Sequence, residues 1–250
     1  MNKTNDDHCV RGNSAALLYN VDKIKSEQLN DWGEQPDCLE GISHSQGILL
    51  WKGSKESPEA GLWECTPGRW HLSIPEDEFC HFISGNALYE SETGEKIPVN
   101  KGTCVLFPAG WKGTCTVNET IRNVYMLTIY GSEDMTVSAK IINNPELISD
   151  TTDWGIIPTM IKGESHTSGL LLHKGKKGES ETGIWICTEG HWACNVTSDE
   201  FCHFLSGRAT YTHESGEVIE IFPNTIAFFP TGWNGACVVH ETVRKTYMIR

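Results

Sequence analysis

No run among the 250 residues approaches the ~20 consecutive apolar positions that a membrane-spanning helix needs, and the opening Met1-Asn2-Lys3-Thr4-Asn5-Asp6-Asp7 lacks the apolar stretch of an export signal. The chain is therefore expected to be cytoplasmic, with no membrane partner. Basic residues are scarce: 20 Lys and Arg stand against 33 Asp and Glu, a formal charge of -13. Binding to a phosphate backbone draws on clustered cations and released counterions, so nucleic acid is set aside as a partner. No Cys-x-x-Cys pair occurs among the ten cysteines. Together with the missing export signal, that points to reduced thiols, mostly small buried side chains, rather than to disulfides. A convincing amphipathic helical period is missing from the body of the chain too, which leaves strands.

What the chain does have is a copy of itself. Asp77-Glu78-Phe79-Cys80-His81-Phe82, closed by Ser84-Gly85, returns as residues 199 to 204 before Ser206-Gly207. A shift of 122 residues aligns 31–126 with 153–248 without a gap, and close to half of the paired positions are identical. The duplication predicts an N-terminal extension (1–30), whose polar start at residues 1–8 reads as disordered and to which no function is assigned, then a first domain (31–130). A polar linker (131–152) and a second domain (153–250) follow, each domain large enough for its own core. Within a copy, aromatic and β-branched runs of four to eight residues alternate with Gly, Pro, Asn and Asp, the pattern of an all-β sandwich or barrel.

The residues Gly61-Leu62-Trp63-Glu64-Cys65-Thr66-Pro67-Gly68, Asp77 to Cys80 with Gly85, Phe107-Pro108-Ala109-Gly110-Trp111-Lys112-Gly113, and Arg122 with Val124-Tyr125 carry a resemblance. The second copy repeats them at Gly183-Ile184-Trp185, Cys187-Thr188, Asp199 to Gly207, Phe229 to Gly235, and Arg244 with Tyr247. Together they resemble the cupin domain grouped with ureidoglycine aminohydrolase and ethanolamine-utilisation cupins. The resemblance implies an all-β fold of two tandem cupin (jelly-roll) barrels, paired within the chain about a pseudo-two-fold, with a homodimer as a further option.

Many cupins hold a divalent metal through G-x5-H-x-H-x4-E-x6-G and a later histidine after P-x-G-x2. Laid on this sequence, those positions are His71, Ser73, Glu78 and Gly113 in the first copy and Ala193, Asn195, Glu200 and Gly235 in the second. The resemblance thus implies a degenerate site in barrel 1, with His71 and Glu78 as candidate ligands of iron, manganese, nickel or zinc. Gly113 and Gly235 are read as points of close backbone approach.

Glu78 and Glu200 are the candidate catalytic residues. If Glu78 faces the barrel interior, period-two alternation puts Cys80 and Phe82 with it and turns Phe79 and His81 away, and the second copy follows suit. A buried carboxylate needs a partner or a raised pKa, and Arg122, Arg244, Tyr89, Tyr211, Tyr125 and Tyr247 are the candidate partners. Trp111 and Trp233, after Pro-x-Gly turns, are candidate ligand contacts at the barrel rim. Cys80 and Cys202 lack a base at recognisable spacing and read as buried thiols rather than nucleophiles. Two functions stay open: an enzyme acting on a small polar, nitrogen-containing metabolite through Glu78 in barrel 1, or a metal-free binding or sensing bicupin.

Overall fold

A computed structural model describes residues 17–52, 58–128, 138–175 and 180–250, and the polar start at residues 1–8 lies outside them. Each copy folds into a jelly-roll barrel whose two layers share a pair of long strands. In the first, Glu78–Ser91 and Trp111–Leu127 lie antiparallel along most of their length. The amino-terminal half of Glu78–Ser91 pairs with Thr103–Phe107, and its carboxy-terminal half pairs with Lys96–Asn100 in the other layer. Trp111–Leu127 does the same with Gly68–Ile74 and Glu59–Cys65. Glu200–His213 and Asn234–Ile249 are the matching pair in the second barrel.

The crossing from one layer to the other needs a sharp bend, and glycine supplies it. Gly85 sits at φ +83°, and a Cβ there would lie 2.2 Å from the Thr120 carbonyl oxygen; Gly207 repeats this at φ +85° against Thr242. At Gly113 and Gly235 a Cβ would meet the carbonyl oxygens of Glu90 and Thr212 at 2.1 and 2.2 Å. No side chain fits at these two positions without moving the facing strand.

Each barrel has its own core. In the first, Trp70, Phe82, Tyr89, Phe107, Trp111 and Tyr125 are buried together, and the equivalents of the first five, Trp192, Phe204, Tyr211, Phe229 and Trp233, fill the second. A third apolar cluster lies between the barrels and joins Leu62, Phe79, Leu106 and Met126 to Ile184, Phe201, Phe228 and Met248. Those eight residues are four pairs related by the same 122-residue shift, so the two barrels meet face to face about a pseudo-two-fold. His81 and His203 touch on that axis, Nδ1 to Nδ1 at 2.8 Å, both buried. Burial lowers the pKa of both, His203 to about 4, so the contact is between neutral imidazoles, one donating and the other accepting.

Two further strands tie the halves together. Leu17–Asn20, ahead of the first barrel, pairs with Thr225–Phe229 of the second, and Lys140–Asn143, between the barrels, pairs with Thr103–Phe107 of the first. Each covers an edge that would otherwise expose unpaired backbone groups. Among the described residues no helix is long and apolar enough to cross a membrane.

Because the inter-barrel cluster is as deeply buried as either barrel core, the halves are expected to unfold together. Phe228→Ala, at a fully buried interface position, should cost about 3–5 kcal/mol. Chemical denaturation followed by far-UV circular dichroism and by tryptophan fluorescence should give one coincident transition, and two separated transitions would contradict the shared core.

Candidate functional site

Both barrels enclose a cavity. The first, about 260 Å3, is lined by Trp32, Trp63, Trp70, Tyr89, Phe107 and Tyr125, with Gln35, Glu59, Glu78 and Asn123 as polar members. The second, about 330 Å3, is lined by the equivalents Trp154, Trp185, Trp192, Tyr211, Phe229 and Tyr247, with Glu181, Glu200 and Lys245. Strand alternation sets these linings. Trp70, Leu72 and Ile74 point inward from one strand; Asn123, Tyr125 and Leu127 do so from its neighbour.

Glu78 begins its strand with its carboxyl in the first cavity. The Cys80 thiol donates to its Oε1 at 3.1 Å. Burial raises the Glu78 pKa, the charges of Glu76 and Glu59 add to this, and the thiol hydrogen bond opposes it. Cys80 and Tyr89 are themselves pushed far up, mainly by burial. At the neighbouring Glu59 the charges are already matched: the Tyr125 hydroxyl donates to it at 2.9 Å and the Lys52 ammonium lies 2.9 Å away.

Glu200 holds the same place in the second cavity with a different solution. The Lys245 ammonium donates to Glu200 Oε1 at 2.6 Å and to Cys202 Sγ at 3.2 Å. It lies 4.8 Å from the centre of the Trp185 ring and 5.7 Å from that of Phe204, within reach of their π faces. Lys245 is only 6 % exposed. Burial alone would drive it toward the neutral amine, but Cys202 and the Glu200 carboxylate outweigh that and hold its pKa above the ordinary lysine value. Cys194, in the same cavity, is pushed up to about 11 by burial, with the Glu200 charge adding and Lys245 opposing. These thiols are protonated at neutral pH and are poor nucleophiles.

The structure brings Glu78 with Tyr89 and Tyr125, and Glu200 with Tyr211 and Tyr247, into the two cavities, and leaves His71, Arg122, Arg244, Trp111 and Trp233 elsewhere. His71 is exposed on the outer face, because alternation from the buried Trp70 turns it away and presents Leu72; the expected His71–Glu78 ligand pair is corrected accordingly. Arg122 and Arg244 also point outward, one residue out of phase with the cavity. Arg122 donates to the Ile24 carbonyl and lies 3.5 Å from Glu64, while Arg244 donates to the carbonyls of Pro145 and Ile148. They anchor the N-terminal segment and the linker rather than partner the glutamates. Trp111 and Trp233 are 0 % and 2 % exposed and pack edge-on against Phe107 and Phe229, so they are core rather than rim.

The residues that sequence reasoning missed are Asn123 and Lys245, equivalent positions where the copies differ. Tyr125 and Tyr247, two residues on, share their face and were the signal that marks it.

A divalent metal does not fit these cavities. In the first, the inward strand positions beside Glu78 carry Trp70, Leu72 and Ile74, and the oxygen and nitrogen groups of the lining are the carboxylates of Glu78 and of Glu59, the latter already paired with Lys52 and Tyr125, the amides of Gln35 and Asn123, and the phenols of Tyr89 and Tyr125. In the second, an ammonium already sits on the carboxylate. Among the described residues no three His, Cys, Asp or Glu side chains cluster as a metal site would require.

The sequence profile of the EutQ-like cupin domain matches twice, at residues 53–125 and 174–247, together more than half of the chain. No curated protein sequence matches. Among solved structures, a protein of unknown function from Pseudomonas syringae pv. tomato superposes with a TM-score of 0.74 at 13% identity, over 94% of this chain and 99% of that one. A putative glyoxylate induced protein from Pseudomonas aeruginosa gives 0.66 at 13% identity over 97% and 90%, and the protein Ylba from E. coli 0.63 at 14% over 98% and 95%. At such identities these likenesses establish the bicupin fold.

Two outcomes follow from the contrast between the glutamates. Lys245→Met strands Glu200 without its counter-ion and should cost about 3–5 kcal/mol, most of it recovered when Glu200→Gln is added; equilibrium denaturation of the single and double variants reads this. For Glu78 the raised pKa means that the folded state binds more protons than the unfolded one once the pH passes the ordinary carboxylate value. Stability therefore falls as pH rises through that window. Glu78→Gln should then melt above the unsubstituted chain at neutral pH, with the advantage vanishing toward about pH 4.

Proposed function

This chain belongs to the EutQ-like cupin family through both of its halves, and on that premise we propose that its first barrel binds a small polar, nitrogen-containing metabolite in the cavity headed by Glu78. The observation that carries the proposal is the difference between two otherwise matching cavities: Glu200 is neutralised by Lys245, whereas Glu78 faces its cavity with a thiol as its hydrogen-bond partner. An ionisable group set in an aromatic-lined cavity without a charged partner is a usual mark of a ligand site. Barrel 2, by the same comparison, is self-satisfied and serves as a structural partner.

Glu78 is also the group placed to move a proton. Burial raises its pKa above the ordinary carboxylate value, the direction in which a carboxyl is moved for acid or base work. Asn123 and the tyrosines would orient a bound molecule, and Trp32, lying on Gly47 where a Cβ would meet its ring at 2.3 Å, would help exclude water. The proposal covers both a reaction that needs acid or base catalysis and binding alone.

The test is a thermal-shift screen of small polar metabolites on the full chain and two cavity-filling variants, Leu72→Trp in barrel 1 and Cys194→Trp in barrel 2. Compounds that raise the melting temperature should lose their effect with Leu72→Trp and keep it with Cys194→Trp. The reverse pattern would place the site in barrel 2 and defeat the proposal.

A further inference from the structure

We infer that the first cavity receives the primary ammonium group of a small organic cation, seated on Glu78 and Asn123 beneath the ring of Trp63; the inference rests on the barrel-1 reading above and names its ligand class. The second barrel displays the arrangement with the cation built in. Lys245 lies directly across from Trp185 and Phe204 on the flanking strands, and its ammonium is held by Glu200, Cys202 and those two rings. Every member of that cradle recurs in the first barrel as Glu78, Cys80, Trp63 and Phe82, and Asn123 stands across from Trp63 and Phe82 in the same register. The lysine alone is replaced. The asparagine amide is neutral and supplies no charge to the carboxylate, so the cradle is kept and the cation is not.

A second observation points the same way. Asn123 is 2 % exposed, lines the cavity, and its Oδ1 has no hydrogen-bond partner. A buried acceptor left unpaired is costly, and an N–H donor from a ligand would satisfy it. The charged residues of the lining, Glu59 and Glu78, are both acidic, and the surrounding indole and phenol faces favour a cation over an anion. A primary ammonium supplies three donors, enough for the Glu78 carboxylate and Asn123 Oδ1 together. A volume of about 260 Å3 suits a small ligand rather than a large one.

Propylammonium, with 1-propanol and propionate as neutral and anionic matches of its size, is titrated into the full chain and followed by tryptophan fluorescence and calorimetry. Saturable binding of propylammonium at one site per chain is expected, with no saturable response to the other two. Glu78→Gln should weaken it by about tenfold to a hundredfold, the range for a lost hydrogen bond to a charged group. Asn123→Lys, which gives barrel 1 the tethered ammonium of barrel 2, should abolish binding in a chain that still melts cooperatively. Lys245→Asn should add a second site.

Failure of propylammonium to saturate, or binding that survives Asn123→Lys in a folded chain, would overturn the inference. If 1-propanol or propionate binds instead and is displaced by Leu72→Trp, the ammonium class falls while the barrel-1 site stands. If none of the three binds and no metabolite responds to Leu72→Trp, the barrel-1 reading falls with it.

Discussion

A carboxyl group inside an aromatic-lined barrel must be neutralised, and the two halves of this protein differ chiefly in how they meet that demand. Barrel 2 places an ammonium on it at 2.6 Å. Barrel 1 leaves it to a raised pKa and a thiol hydrogen bond. The strands, the glycine bends and the aromatic lining are common to both, so a single position, 123 or 245, sets the charge of the cavity. That places the electrostatic distinction between the cavities in one side chain rather than in the architecture.

The rest of the fold keeps the two copies in one body while allowing them to diverge. The dry cluster between the barrels is built from symmetry-related pairs, but its centre cannot be symmetric. When His81 and His203 meet through the same nitrogen atom, Nδ1 to Nδ1, one must donate and the other accept, so the two imidazoles are different tautomers. The arms are likewise unequal. Arg122 holds the segment before barrel 1 and Arg244 the linker before barrel 2, and each carries a different chain segment over an equivalent surface. Duplicated arginines thus became anchors for unlike partners, which explains why they recur without touching either cavity.

Much of this was legible in the sequence. The all-β class and the paired jelly rolls followed from spaced motifs occurring twice, and alternation correctly turned His81 and His203 away from the cavities. The site was less legible, for two physical reasons. Fitting a metal-binding pattern to the strand from Gly68 to Ile74 selected His71, although the alternation Trp70, His71, Leu72, Ser73, Ile74 already showed apolar residues in and polar ones out. Here the spacing of a motif overrode the periodicity of the strand. Searching for residues identical in both copies selected Arg122 and Arg244, one step out of phase with the inward face. The informative position was the neighbour that differed, and a search by repetition passes over a difference by construction.

The tether also explains why the two cavities need not compete for one ligand. Lys245 is fixed on its strand across from Trp185 and Phe204, so its ammonium faces the carboxylate at a high effective concentration and loses no translational freedom on docking. A free cation entering barrel 2 would have to displace it and bear that entropic cost with nothing gained in charge pairing. For the ammonium ligand we propose, the same cost in barrel 1 would be offset by pairing a carboxyl that otherwise stays desolvated and by satisfying an orphaned amide oxygen. One lysine-to-asparagine difference therefore separates a self-neutralised cavity from one whose carboxyl has no built-in counter-ion.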